Sequence, residues 1–491
     1  MARGLSRRTF FKGVVLSAGA VLAACATSNQ PKPRGADEEA RPLPIPPLYE
    51  GELDGSTRTF ELTAQEGTHE ILPGVQSTTW GFNGDFLGPT LYMRKGETIN
   101  MTVRNKVSEP TVVHWHGMHL AADADGGPAL VFPPGKEWSP TWKVDQDAAT
   151  LWYHPHPHGV SGLHAYRGLA GGIVVADDET DALGLPNTYG IDDIPVVLTD
   201  AKFTDDGQLD ETIDPTYGLL GDTPLVNGIT KPRFEAPAGK LRLRLVNGAT
   251  MRFHNLSLGV PFHVIATDQG LVEHPVEVDA ILLSPGERAE VIVDVEADSE
   301  LMLRSIGVDD RGGLPDEEVA NGFGLSDVFD LLEIVGSAPE SDGALPERLV
   351  SAEDKGTDWV AEREFRLNGF QINEQSMDME RIDFEKTQVG PELWTVTNEN
   401  ADWPHNFHIH NARFRVLDVE NGENGENGEV KFREGWHDTI YVPPLSTVRL
   451  GVDIPMHRND DYAFMYHCHM LFHEDEGMMG QFRIPTSAPQ S

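Results

Sequence analysis

Cysteine is almost missing from this chain: its 491 residues contain two, Cys25 and Cys468. Two thiols cannot build a disulfide scaffold, so the folded parts must rest on buried cores. Basic residues are scarce too, 38 Lys+Arg against 78 Asp+Glu, for a net charge of −40. That balance excludes nucleic acid as a partner, because holding phosphates takes basic patches. Attraction of cations is the functional reading of the acidic surplus, and solvation in a saline medium is the plainer one. No apolar run is long enough to stay in a bilayer as a helix; the stretch from Gly13 to Ala24 falls short. Apolar stripes at helical spacing do not persist long enough to demand a bundle. The 13 methionines form no dense segment.

Glycine and proline are abundant, at 49 and 34, with hydrophobic residues at 39%. This composition fits a turn-rich, all-β chain, and the length suits three domains at about 150 residues each. Residues 1–25 read as an export signal. Ser6-Arg7-Arg8-Thr9-Phe10-Phe11-Lys12 is a twin-arginine pattern, and Leu22-Ala23-Ala24-Cys25 resembles a bacterial lipobox. If the lipobox is used, Cys25 becomes a lipid-bearing N-terminus, the only membrane attachment expected; under a plain cleavable signal it is discarded. Either route sends the protein out of the cytoplasm to the cell envelope. Residues 26–47, rich in Pro, Gly, Glu and Arg, read as a disordered tether.

Three later stretches share one layout, which implies three copies of one β-sandwich unit. Each opens on a glycine turn and reaches an asparagine eight or nine residues on: Gly96 to Asn105, Gly239 to Asn247, Gly390 to Asn398. A second landmark follows as Pro134-Gly135, Pro285-Gly286 and Pro443-Pro444. Boundaries are expected near 185 and 340, where linkers such as Gly336-Ser337-Ala338-Pro339-Glu340 interrupt the strands. The domains are then 48–185, 186–340 and 341–491.

The copies differ in chemistry. Four His-x-His pairs occur, His114/His116 and His154/His156 in the first copy, His408/His410 and His467/His469 in the third. Residues i and i+2 of a strand share a face, so each pair presents two imidazoles together. Eight imidazoles suffice for three copper ions with positions left open for a ligand. One such pair alone is weak evidence; four in repeat-equivalent places, one straddling the only cysteine of the mature chain, are strong evidence. On a strand, Cys468 points away from His467 and His469. A thiolate, two imidazoles and a thioether make a blue-copper ligand set. Cys468, His473 and Met478 supply three of the four, and His405 is the best candidate for the fourth. Met479 is the alternative to Met478, with core filling as the ordinary role of either. Aligned on the repeat, Pro155 stands where Cys468 stands and Leu169 where Met478 stands, so the first copy has no blue site. The second copy has neither Cys nor His-x-His and is expected to hold no catalytic metal.

The motifs HWHG (114–117), WYHPH (152–156), HNFHIH (405–410) and HCHMLFHEDEGMM (467–479) occur in that order. With them the chain resembles the three-domain multicopper oxidases, in the group of bacterial laccases and copper-efflux oxidases. The resemblance implies three consecutive cupredoxin-like Greek-key β-sandwiches and four copper ions. It places the type 1 ion on His405, Cys468, His473 and Met478, and the type 2 ion on His114 and His408. The type 3 pair falls to His116, His154, His156, His410, His467 and His469. It further implies a monomer in which a small reducing substrate gives single electrons to the type 1 site and O₂ is reduced to water, with Asp125 and Glu474 as proton relays. A carboxylate beside a water-excluding site suits that task; a solvated loop carboxylate is the alternative for each.

The substrate is left open between phenols or aromatic amines and Cu(I). Met377, Asp378 and Asp402 resemble positions that hold a labile cuprous ion in efflux oxidases, a soft thioether beside a carboxylate suiting Cu(I). Met377 and Met379 read equally well as core residues of a strand. Two further classes remain, a copper-free structural envelope protein, which predicts missing ligands, and a copper-binding module without turnover.

Overall fold

The computed structural model describes residues 40–340, 343–351, 358–420 and 434–489. The export signal, Cys25, the tether up to residue 39 and the Asn-Gly-Glu insert over 421–429 lie outside the described residues. Among the described residues strands dominate, and they assemble into five sheets. The first sandwich sets a five-stranded sheet containing Gly171–Ala176, Ala149–Pro155 and Val113–His116 against a six-stranded sheet built on Thr57–His69 and Thr98–Asn105. Phe60, Leu62, Trp115, Leu151 and Tyr153 fill the space between them.

The third sandwich pairs two five-stranded sheets. One holds Glu392–Asn398 and Thr447–Asp453, the other Met479–Arg483, Phe464–His467, His405–Ile409 and Thr439–Val442. Along Glu392–Asn398 every second residue is buried, the alternation of a strand with one face on a core. Its core of Trp394, Phe407, Phe464 and Phe482 also encloses Cys468 and Met478.

The second domain is one continuous ten-stranded sheet. Its long strand Arg233–Asn247 runs parallel to Phe329–Glu340 through its first part and antiparallel to Arg288–Val295 through its second. The ladder shifts at Pro237/Ala238, and Gly239 follows at φ +107°. The glycine lets the long strand bend from one layer into the other, beside a bulge in its partner at Ala338 and Pro339, which joins the two layers.

The recurring asparagines are the hinge of each unit. Asn105, Asn247 and Asn398 are all fully buried, and each side-chain amide donates to two carbonyls while accepting the N–H two residues on. Asn105 donates to Glu109 and Phe132, Asn247 to Arg252 and Leu283, Asn398 to Trp403 and Val442. The three accepted donors are the N–H groups of Val107, Ala249 and Asn400.

Two expectations fail. From residue 40 onward the tether is ordered: Leu43 is buried in the second domain's core, and its N–H donates to the Arg233 carbonyl at 2.8 Å. The proline-rich stretch offers carbonyls rather than donors, and Asn227, Tyr189 and the Thr90 N–H take them from Pro44, Pro46 and Pro47. The Gly336–Glu340 segment read as linker is instead the end of the strand Phe329–Glu340.

Candidate metal centre

The histidine pairs sit where strands stop. Val113–His116 carries both His114 and His116, but the strands holding the other pairs end at Pro155, Ile409 and His467. His156, His410, Cys468 and His469 therefore lie just past strand ends, a departure from the in-strand placement expected of them. The strand end frees carbonyls next to the rings: His154 Nδ1 lies 2.9 Å from the Pro155 oxygen and His467 Nδ1 3.1 Å from the Cys468 oxygen. The division of faces survives, with Cys468 turned from the imidazoles flanking it.

Cys468, His405 and His473 form the first group. The thiol sulfur lies 3.7 Å from His405 Nδ1 and 3.5 Å from His473 Nδ1, and those two nitrogens are 3.2 Å apart. His473 comes from the short helix Leu471–Asp475. Met478 is fully buried in the same core, and its carbonyl accepts the Cys468 N–H at 3.2 Å. Burial pushes the thiol up to about 12 and His473 down to about 3. Trp403 stacks on the His473 ring at 5.5 Å.

The other eight imidazoles converge across the junction of the first and third sandwiches. His156 Nε2 and His410 Nε2 each lie 3.3 Å from His467 Nε2. On the other side His469 Nε2 lies 3.3 Å from His154 Nε2 and 3.1 Å from His116 Nδ1. Rings of the two domains interleave, His114 stacked on His410 and His116 on His408 with centroids 3.8 Å apart. His114 Nε2 and His408 Nε2 are buried and have no hydrogen-bond partner. Burial, with the neighbouring imidazoles adding to it, holds His114, His116, His154, His410, His467 and His469 well below the ordinary histidine range. Neutral rings with lone pairs turned inward are cation ligands, and a cation would satisfy the inward nitrogens of His114 and His408. The donor set, imidazole nitrogen with one thiol, fits copper.

Carboxylates back this shell. Asp125 Oδ2 lies 2.6 Å from His410 Nδ1, and its main-chain oxygen 2.9 Å from His114 Nδ1. Glu474 places its oxygens 3.4 Å from His156 Nδ1 and 3.2 Å from His467 Nδ1. Burial raises both acids well above the usual carboxylate range. Asp378 and Asp402 are exposed and belong to none of the convergent groups, while the N–H of half-buried Met377 donates to the Gly477 carbonyl at 2.8 Å.

Two residues at the junction had no signal in the sequence. Asp438 lies 3.0 Å from His116 Nε2, and Arg288 of the second domain forks onto it. Arg288 holds Asp438 well below the usual range against the penalty of burial. Only the pairing of His408 with Thr439 reveals that Asp438 adjoins the histidines.

Comparison with known proteins agrees with this geometry. Residues 63–180, 207–313 and 348–488 each match a multicopper oxidase family profile. The chain is 33% identical to the cell division protein FtsP of Escherichia coli (strain K12) over 490 residues, 98% of this chain and 99% of that protein. It is 32% identical to the multicopper oxidase mco of Staphylococcus epidermidis (strain ATCC 12228 / FDA PCI 1200) over 450 residues, 90% of this chain and 92% of that one. The crystal structure of a laccase from Pediococcus acidilactici Pa5930 superposes with a TM-score of 0.79 at 33% identity, covering 92% of this chain and 95% of that chain. With three domain matches and a shared cupredoxin-like architecture, the chain belongs to the multicopper oxidase family.

Proposed function

We propose that this protein is a working oxidase that couples one-electron oxidation of a small donor to the reduction of O₂ to water. The convergence of ten buried imidazoles and one buried thiol, with two inward nitrogens left unpartnered, carries this reading. His405, Cys468, His473 and Met478 would hold one copper ion, His114 and His408 a second, and the other six junction histidines a pair. Copper bound there would supply single-electron redox steps at the thiol site and a place for O₂ at the junction.

The chain's own residues do the rest. Cys468 connects the two places covalently, since its backbone continues directly into His467 and His469. Burial of all these side chains keeps bulk water from the reacting oxygen. Glu474 and Asp125, the only carboxylates besides Asp438 against the junction histidines among the described residues, are placed to pass protons inward. We further propose that the protein acts as a monomer outside the cytoplasm, exported by its twin-arginine-type signal, with Cys25 as a lipid anchor.

The curated relative in cell division keeps a structural role in view; the complete set of converging histidines weighs against it for this chain. The donor would be Cu(I) or a phenol or aromatic amine; for Cu(I) the residues to take it are Met377, whose main chain is fastened to Gly477 beside Met478, and the exposed Asp378 that follows it. Metal analysis with O₂ uptake tests the reading. Four copper ions per chain and O₂ consumption with a phenol, an aromatic amine or Cu(I) are expected, and a copper-loaded protein consuming no O₂ with any of them refutes it.

A further inference from the structure

Seven of the eight junction imidazoles turn Nε2 inward, and six of these hold Nδ1 against an oxygen: Asp125 behind His114 and His410, Pro155 behind His154, Glu474 behind His156, Asp438 behind His408, Cys468 behind His467. His116 is reversed. Its Nδ1 faces His469 Nε2 at 3.1 Å, and its Nε2 faces the Asp438 carboxylate at 3.0 Å.

The surroundings of Asp438 leave it no role but acceptor. Arg288 Nη1 and Nη2 donate to its two oxygens at 2.6 Å each, and Gln269 Nε2 donates to Oδ2 at 2.5 Å. The guanidinium is itself fully committed, since its remaining N–H groups go to the carbonyls of Thr150, Gly286 and Asp268. A carboxylate held by donors can satisfy His116 Nε2 only if that nitrogen carries the proton. The lone pair is then on Nδ1, aimed at the junction. Close approach is built in: at Gly117, with φ +89°, a Cβ would stand 2.7 Å from Arg288 Nη2 and 2.9 Å from Asp438 Oδ2.

We propose that Arg288 and Asp438 are a positioning pair that fixes His116 in its Nε2–H tautomer, so that the second domain, which supplies none of the junction histidines, governs copper occupancy of the junction. The inference rests on the junction being a copper site, as argued above.

Asp438→Asn tests it. Arg288 offers only donors, so the new amide must turn its oxygen to Arg288 and its NH₂ to His116 Nε2. The ring proton then moves to Nδ1, and the inward lone pair is lost. Junction copper affinity should fall about 10–100-fold, the usual cost of losing a ligand's hydrogen-bond partner. Competition with a chelator reads that loss. Blue absorption at Cys468, whose partners do not include Asp438, should stay at its wild-type intensity and report that the protein is folded. Wild-type junction affinity in D438N overturns the proposal. If D438N does not fold, Arg288→Lys decides: its point-like ammonium cannot grip both carboxylate oxygens, so weakened junction copper with the blue band intact supports the pair, and unchanged affinity overturns it. Wild-type protein that takes up no junction copper overturns the copper reading instead.

Discussion

Copper uptake at the Cys468 site should strengthen tenfold for each pH unit across neutrality, with the thiol alone setting that slope. Burial raises this thiol from the ordinary 9.0 to about 12. At pH 7 about one site in 10⁵ would then be thiolate, and displacing the proton costs about 7 kcal/mol at 1.36 kcal/mol per unit. The sign follows from the raised value: the metal-free site holds a proton, the copper-bound site does not, and binding improves as pH rises until the thiol ionises unaided. The imidazoles add nothing to the slope. His473 is held to about 3 and His405 well below the ordinary range, so both are already neutral at pH 6. The assay titrates metal-free protein with copper against a chelator of known affinity from about pH 6 to 8, reading the blue absorption. After correction for the chelator's own protonation, log K should rise one unit per pH unit. A flat line would mean that the thiol is already ionised and that burial does not govern it. A slope of two or three would mean that the imidazoles are protonated in the metal-free site. Cys468→Ser should show no blue band at any pH.

Glu474→Gln should lower turnover by about 10²–10⁴-fold, the range for losing a placed acid or base; O₂ uptake within twofold of wild type would remove Glu474 from the proton route. Its geometry sharpens the expectation, because the Glu474 oxygens lie 3.4 Å from His156 Nδ1 and 3.2 Å from His467 Nδ1, and glutamine keeps that shape while removing the ionisable proton. Asp378→Ala should impair Cu(I) oxidation more than phenol oxidation when the two rates are measured on the same preparation, and equal losses would count against a cuprous site there.

Residue types that can ligate copper were legible because they recur at fixed short spacing, as in the two motifs around Cys468 and His405. The asparagine landmarks were legible for a related reason: one buried amide closing the same three hydrogen bonds leaves the same letter at the same place in every copy. What escaped were relations between distant segments. Asp438 and Arg288 are 150 residues apart, and neither sits in a motif, since an ion pair across domains imposes no local pattern. Leu43 and Ile45 alternate with prolines, a composition that reads as tether unless a neighbouring core is known to receive the two aliphatic side chains. Gly336–Glu340 reads as linker because glycine and proline often end strands, yet the strand carries Ala338 and Pro339 as extra residues between the pairs Ser337/Pro237 and Glu340/Ala238, and pairing continues.

The strand ladders also explain in physical terms why the second sandwich contributes positioning rather than ligands. His405 opposes Val442, whose carbonyl takes the Asn398 amide; His254 opposes Leu283, whose carbonyl takes the Asn247 amide. His254 therefore occupies the place of His405. Cys468 follows His467, which opposes His408 and Met479, so Cys468 stands across from Phe407 and Met478. In the second domain the residue opposing Leu256 and Phe329 is Ser305. Serine thus replaces the thiol and phenylalanine the thioether. One imidazole remains, driven down to about 3 by burial and lacking a partner on either nitrogen. A lone imidazole beside a hydroxyl and a phenyl ring offers copper no soft ligand. The same scaffold freed from ligation carries Arg288 instead, with a guanidinium whose five donors reach the first, second and third domains at once. Arg288 thereby holds the two histidine-bearing halves in register from a domain whose own fold rests on a buried aliphatic core.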